Sequence, residues 1–154
     1  HRNPSLIGAA IEKDIFAQVI CDGLHIHKSV IKMLYKTFTS DKLILISDSM
    51  RATGLCDGEY EFGGQQITVS GGVARTKDGT IAGSTSSLLD CVKKAIEFNI
   101  PKEEAFKMAS DTPAKYINVK KGKFEPGYDA DFFIADDKLN VLKTYIGGKI
   151  VYEG

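Results

Sequence analysis

Two short, largely apolar runs constrain this chain more than any other feature: residues 15–21 (IFAQVIC) and Leu43–Ile46 (LILI). Successive side chains of a strand point to opposite faces. A strand that is apolar at consecutive positions therefore needs cover on both sides, which is the condition of a parallel sheet packed between helices. The segment between the runs supplies such cover. Residues 28–38 place Val30, Met33, Leu34 and Phe38 on one side of a helix. Ahead of the first run, Asn3-Pro4 reads as a capping side chain followed by proline at the first helical position, with Leu6, Ile7, Ala10 and Ile11 at helical spacing. The first fifty residues thus read helix, strand, helix, strand, and the class is α/β.

The middle changes character. Gly63-Gly64, Gly71-Gly72 and Asp78-Gly79 separate short alternating runs (EYEF, QQITVS, VARTK, TIA). Each pair suits a tight hairpin turn, so residues 57–83 read as a β-meander inserted after the second parallel strand. Helices are expected over 87–98 and from Pro101, with a cap and restart at Asp111-Thr112-Pro113-Ala114. The tail returns to strands at 131–135, Val141–Ile146 and 149–152, after a turn at Glu125-Pro126-Gly127. Two parallel strands cannot close a barrel, which takes about 250 residues and eight strands. The chain is either a small α+β domain or the end of a larger enzyme. Its opening, His1-Arg2-Asn3-Pro4, reads neither as a signal peptide nor as a natural start, and the expectation is a chain that begins inside a longer product.

Charge excludes some partners. Lys plus Arg and Asp plus Glu are 20 each, without a basic stripe, so electrostatics offer no support for nucleic acid or an anionic membrane. No apolar stretch has the length of a membrane span. Cys21, Cys56 and Cys91 are odd in number and form no Cys-x-x-Cys pair. Reduced thiols in a cytoplasmic protein are the expectation.

Polar residues just past the two parallel strands are the candidates for chemistry, because that end of such sheets is where sites are built. Asp48 follows LILI and Ser47. A carboxylate there is either a general base and acid or a cap on the next turn. His25, in Asp22-Gly23-Leu24-His25, would share a pocket with it across one helical crossover, or be an ordinary loop histidine. His25 and His27 form His-x-His, but no third ligand is nearby, and a zinc site needs three or four; His27 is expected on the first turn of the next helix. Gly83-Ser84 offers a weak anion site at a helix start. Arg2 and Arg51 have no local partner that defines a role.

The segments RNPSLIGAAIE, ICDGLHIH, LILISDSMRATG, LCDGEYEFGGQ, DGTIAGSTSSL and MASDTPAKYI resemble the N-acetylglucosamine-6-phosphate deacetylase family of the amidohydrolase superfamily. The ending GKFEPGYDADFFIADD resembles the closing segment of many amidohydrolases. The resemblance implies the C-terminal part of a metal-dependent (β/α)8 barrel over 1–122, including the β-hairpin insert 57–83, plus strands of the small β-sandwich domain over 123–154. It implies hydrolysis of N-acetylglucosamine 6-phosphate to glucosamine 6-phosphate and acetate in amino-sugar catabolism. Asp48 matches the catalytic aspartate. Asp22, Gly23, Leu24 and His25 match a substrate-binding stretch, with His25 near the sugar phosphate. Ile81, Ala82 and Gly83 match a second such stretch, and Arg2 an arginine that reaches the partner subunit's site in a homodimer. The family's glutamate and histidine ligands for a divalent metal of the zinc or iron class lie upstream of the matched region. This chain alone is therefore expected to bind no catalytic metal and to hydrolyse nothing. The alternatives are another amidohydrolase, of dihydroorotase or hydantoinase type, and a non-catalytic α+β fragment.

Overall fold

The computed structural model describes residues 2–154. Helix α1 (Ser5–Glu12) leads to strand β1 (Ala17–Ile20), helix α2 (Lys28–Lys42) and strand β2 (Leu43–Ile46). β1 and β2 pair in parallel, Ala17 opposite Leu43 and Ile20 opposite Ile46. This is the β-α-β unit that the two apolar runs require. Leu43 and Leu45 point into a core shared with Ile31 and Phe38 of α2 and with helix α3 (Leu88–Glu97) and helix α4 (Lys102–Ala109).

β1 is shorter than the apolar run that announces it. Asp14 takes φ +50°, and the Ile15 N–H turns back to the Ala10 carbonyl at 3.2 Å. The chain is still leaving α1 at residue 15. α1 itself starts after Pro4, and the Asn3 side-chain oxygen accepts from the Ser5 N–H at 3.2 Å. None of its residues is buried, and Leu6 is 85% exposed.

α2 carries a break at Thr39, φ +54°, so regular helix ends at Phe38 and a last turn leads into β2. The break is held from the side. The Thr112 hydroxyl donates to the buried Ser40 carbonyl at 2.5 Å, and Lys107 pairs with Asp41 at 2.7 Å. Thr112 belongs to helix α5 (Asp111–Tyr116), which restarts directly from α4 at Ser110. Asp111 makes no cap hydrogen bond there; its carboxylate pairs instead with Lys115 at 2.7 Å. α3 opens on a complete capping box. The Ser87 hydroxyl accepts from the Asp90 N–H, and the Asp90 carboxylate accepts from the Ser87 N–H.

The insert is an antiparallel meander, β3 (Gly58–Phe62), β4 (Gln65–Ser70), β5 (Val73–Thr76) and β6 (Ile81–Ser84). Its turns fall at the three glycine-bearing pairs, where Gly63, Gly64, Gly71, Gly72 and Gly79 all have positive φ. Ile67, Val69 and Ala74 close over Met50 and Ala52 to form a second small core. The tail forms a separate antiparallel sheet, β7 (Phe132–Ala135), β8 (Val141–Ile146) and β9 (Lys149–Glu153). Phe133 meets Phe106 of α4 with ring centroids 6.1 Å apart, and Lys121 pairs with both Asp129 and Asp131 ahead of β7.

Candidate active site at the strand ends

Two elements deliver the candidate side chains to one place. β1 runs one bond further than its named end, because the Cys21 N–H donates to the Ile46 carbonyl at 3.3 Å. Asp22 and His25 therefore leave the sheet at the level where β2 releases Ser47 and Asp48. His25 Nε2 lies 3.8 Å from Asp48 Oδ2. On its other side, His25 Nδ1 lies 2.7 Å from Asp22 Oδ2. Parallel pairing, which puts residues of like rank on adjacent strands side by side, is what joins the two motifs.

The groups differ in exposure. The Asp22 side chain is fully buried, His25 is 18% exposed and Asp48 is half exposed. Burial by itself works to raise the Asp22 pKa. The Leu24 and His25 N–H groups (2.9 and 3.1 Å to Oδ1) and the His25 ring outweigh it, so the net shift is downward and Asp22 stays ionised. Gly23, between them, has φ +83°, and a side chain there would meet the Lys94 methylenes at 3.1 Å. Leu24 stands about half exposed beside them.

Asp48 is held by its backbone rather than by its carboxylate. The segment after β2 pairs with the end of β6. The Ser84 N–H donates to the Asp48 carbonyl at 2.8 Å, the Met50 N–H donates to the Ser84 carbonyl at 2.9 Å, and the Ser49 hydroxyl donates to the Ser86 carbonyl at 2.6 Å. Asp48 takes φ +53°, a left-handed conformation that Asp and Asn accept better than most residues. Gly83 lies against it, and a β-carbon at Gly83 would stand 3.3 Å from the Asp48 carbonyl oxygen. The meander thus returns to fix the residue that precedes it. Beyond Asp48 a cleft of about 550 Å³ opens along β2, walled by Ile44, Ile46, Leu88 and Tyr116.

The structure brings together Asp22, Gly23, Leu24 and His25 with Asp48, and sets Gly83, with Ile81 and Ala82 before it in β6, against the Asp48 backbone. It does not bring Arg2 to them; Arg2 is exposed ahead of α1. Two expectations are corrected. His27 is the cap of α2 rather than part of its first turn: its Nδ1 accepts from the Ser29 N–H at 3.3 Å, so its ring serves the helix. Ser84 offers no free N–H for an anion, because that group bonds Asp48. The missed contributors are Ser49, Thr53 and Ser86, which together with Ser84 tie β6 to the turn after β2. A bulk of small hydroxyl residues in both segments is the only local sign of them.

Among the described residues, no three His, Cys, Asp or Glu side chains are grouped to hold a metal ion. Asp22 is occupied by three hydrogen bonds, which leaves His25 Nε2 and Asp48 as two donors, short of the three that a catalytic zinc takes from protein. The residues of this chain do not by themselves fit such an ion.

The cysteines behave as a buried pair and an exposed single residue. Burial, then the neighbouring Cys91 and Asp22, pushes the Cys21 thiol up to about 12; burial, then Asp22, pushes Cys91 up to about 11. Both stay protonated and inert. The expected result with a disulfide thiol reagent is one fast thiol per native chain, Cys56, and three after denaturation. A second fast native thiol would contradict the burial of the pair.

Known proteins resemble the chain along nearly its whole length. The chain is 40% identical to N-acetylglucosamine-6-phosphate deacetylase of Bacillus subtilis (strain 168), over 99% of its own length and 39% of the relative's. It is 33% identical to N-acetylgalactosamine-6-phosphate deacetylase of Escherichia coli O157:H7, over 97% of its length and 41% of the relative's. It superposes on the crystal structure of N-acetylglucosamine-6-phosphate deacetylase from Thermotoga maritima with a TM-score of 0.91 and 32% identity, covering all of this chain and 43% of that one. The chain therefore spans about two fifths of these relatives. The mixed α/β fold expected from the sequence is the fold of the matching part of that structure. Residues 13–151 match the model of the amidohydrolase family, and it is to the amidohydrolase family that this chain belongs.

Proposed function

We propose that this chain carries the proton-transferring end of a site that deacetylates an N-acetylhexosamine 6-phosphate. The observation that supports it most is the placement of Asp48. It is a carboxylate at a parallel strand's C-terminal end, with its backbone clamped by β6 and its Oδ2 facing His25 at 3.8 Å. In the reaction, water adds to the acetamide carbonyl carbon while Asp48 takes the water's proton. Asp48 then gives a proton to the amine nitrogen as the carbon–nitrogen bond breaks. The products are acetate and the free amino-sugar phosphate. His25, with Arg2 reaching from a partner subunit of a cytoplasmic homodimer, holds the phosphate through charge-assisted hydrogen bonds. A divalent ion of the zinc or iron class, which the family generally uses, would be held by donors outside this chain.

The sugar epimer is the open choice, since the relatives' names include both the glucosamine and the galactosamine forms. The test is acetate release by the complete gene product from each N-acetylated sugar phosphate and from a cyclic amide. Release from a sugar phosphate supports the proposal, and hydrolysis of the cyclic amide alone overturns it. The isolated 154-residue chain is expected to release none; measurable deacetylation by it would mean that its own residues suffice.

A further inference from the structure

The Asp22 carboxylate is buried, and both of its oxygens are engaged within its own loop. Oδ1 accepts two backbone N–H groups of its own loop, from Leu24 at 2.9 Å and His25 at 3.1 Å. Among the described residues Oδ2 meets the His25 ring alone, at 2.7 Å from Nδ1. The loop that allows this depends on Gly23 at φ +83°, closed over by Lys94. An ionised carboxylate accepts and cannot donate. The ring nitrogen that faces Asp22 must then carry a hydrogen, whether the imidazole is neutral or charged. The other nitrogen, Nε2, is the one aimed at Asp48 Oδ2, 3.8 Å away.

We infer that Asp22 is a positioning residue: it fixes His25 with Nδ1 protonated, so that Nε2 alone is presented to the ligand beside Asp48. Asp22 then has no direct substrate contact and acts through the imidazole, as a carboxylate behind a functional histidine commonly does. The two backbone bonds to Oδ1 set the carboxylate, the carboxylate sets the ring plane, and the ring plane sets the distance to Asp48. The functional weight of this inference rests on the proposed deacetylase site; the tautomer itself does not.

The variant that separates chemistry from folding is Asp22→Asn. Its carbonyl oxygen can keep both backbone bonds, while its amide nitrogen now donates to Nδ1 and drives the hydrogen to Nε2. Long-range nitrogen–proton NMR on 15N-histidine-labelled chain, at a pH where the ring is neutral, reads the tautomer directly. The expected spectrum shows Nδ1–H for His25 in the wild type and Nε2–H in D22N. An Nε2–H signal in the wild type overturns the inference without any variant, and so does an unchanged tautomer in folded D22N. In the complete protein the bond from His25 to the phosphate needs a hydrogen on Nε2 as well, so the ring that binds is the doubly protonated one, whose Nδ1–H Asp22 accepts. In D22N the amide donor at Nδ1 excludes that form, and the Nε2–H bond loses its charge assistance. KM for the sugar phosphate is then expected to rise about tenfold, with kcat lowered by less. An unchanged KM overturns the positioning role. Inactivity of the wild-type complete protein would instead count against the deacetylase reading and leave the tautomer result standing.

Discussion

Asp48→Asn in the complete protein is expected to lower kcat for the sugar phosphate by about 10²- to 10⁴-fold, the range that a positioned acid–base group supplies. The carboxamide neither takes the water's proton nor returns one to the amine. The substitution is informative because it changes little else. Asp48 is half exposed, makes its fixing contacts through its backbone, and sits at φ +53°, where Asn is as acceptable as Asp. Stability should therefore stay within about 0.5 kcal/mol of the wild type. Asp48→Ala would confuse the result by adding backbone strain at the same residue. Steady-state kinetics with a denaturation curve on the same sample decide the matter. A kcat within tenfold of wild type, with the fold intact, would remove Asp48 from the chemistry.

Gly122→Ala is expected to be among the most damaging single substitutions to the fold. Gly122 has φ +79°, and a β-carbon there would lie 2.6 Å from the Ser110 carbonyl carbon and oxygen and 2.7 Å from the Asp111 nitrogen. These are backbone atoms at the joint between α4 and α5, so no side chain can swing aside. The left-handed conformation costs about 1–2 kcal/mol for a residue with a β-carbon. The overlap adds about 1–3 kcal/mol, as over-filled interiors do. A loss of about 2–5 kcal/mol should follow, read as a lower urea midpoint at unchanged slope. Gly127→Ala is the matched control, with φ +90° and nothing within 4 Å of the added carbon; it should cost only the conformational part. Equal losses at the two positions would show that the joint yields and that the contact carries no weight. The joint matters for the site because Thr112, two residues on from Ser110, bonds the Ser40 carbonyl just ahead of β2, the strand that ends at Asp48.

The inference about Asp22 bears on how the motif Asp22-Gly23-Leu24-His25 is read. Taken as a string, it offers four residues to a ligand. In the fold they divide. Asp22 faces inward, Gly23 makes the turn, Leu24 is about half exposed, and His25 bridges Asp22 and Asp48. Contact order along the chain does not distinguish a ligand-facing carboxylate from one that serves its neighbour. The difference lies in burial, which local composition does not encode.

Much of the secondary structure was legible because its causes are local. Alternation, glycine pairs at turns and helical spacing over 87–98 act within a few residues, and the corresponding elements formed where those signals stand. The shortfalls have equally physical causes. β1 lost its first residues to the exit of α1, and His27 became a cap because its ring reached Ser29. The return of β6 to Asp48 was not legible, since it joins backbone groups more than thirty residues apart, and backbone hydrogen bonds carry no side-chain label.

By itself the sequence determined that two apolar runs must lie side by side under helices, because strands apolar on both faces have no other stable setting. It thereby brought the ends of β1 and β2, with His25 and Asp48, to one rim. Only the tertiary structure decided what those residues do to one another. It buried Asp22 and left Asp48 half exposed, turned His25 Nε2 toward Asp48, and used the far end of an inserted meander to hold the Asp48 backbone. The physical reason is that hydrophobic periodicity is a property of neighbours in the chain, whereas the roles of polar groups at a site depend on burial and on partners that packing supplies from a distance.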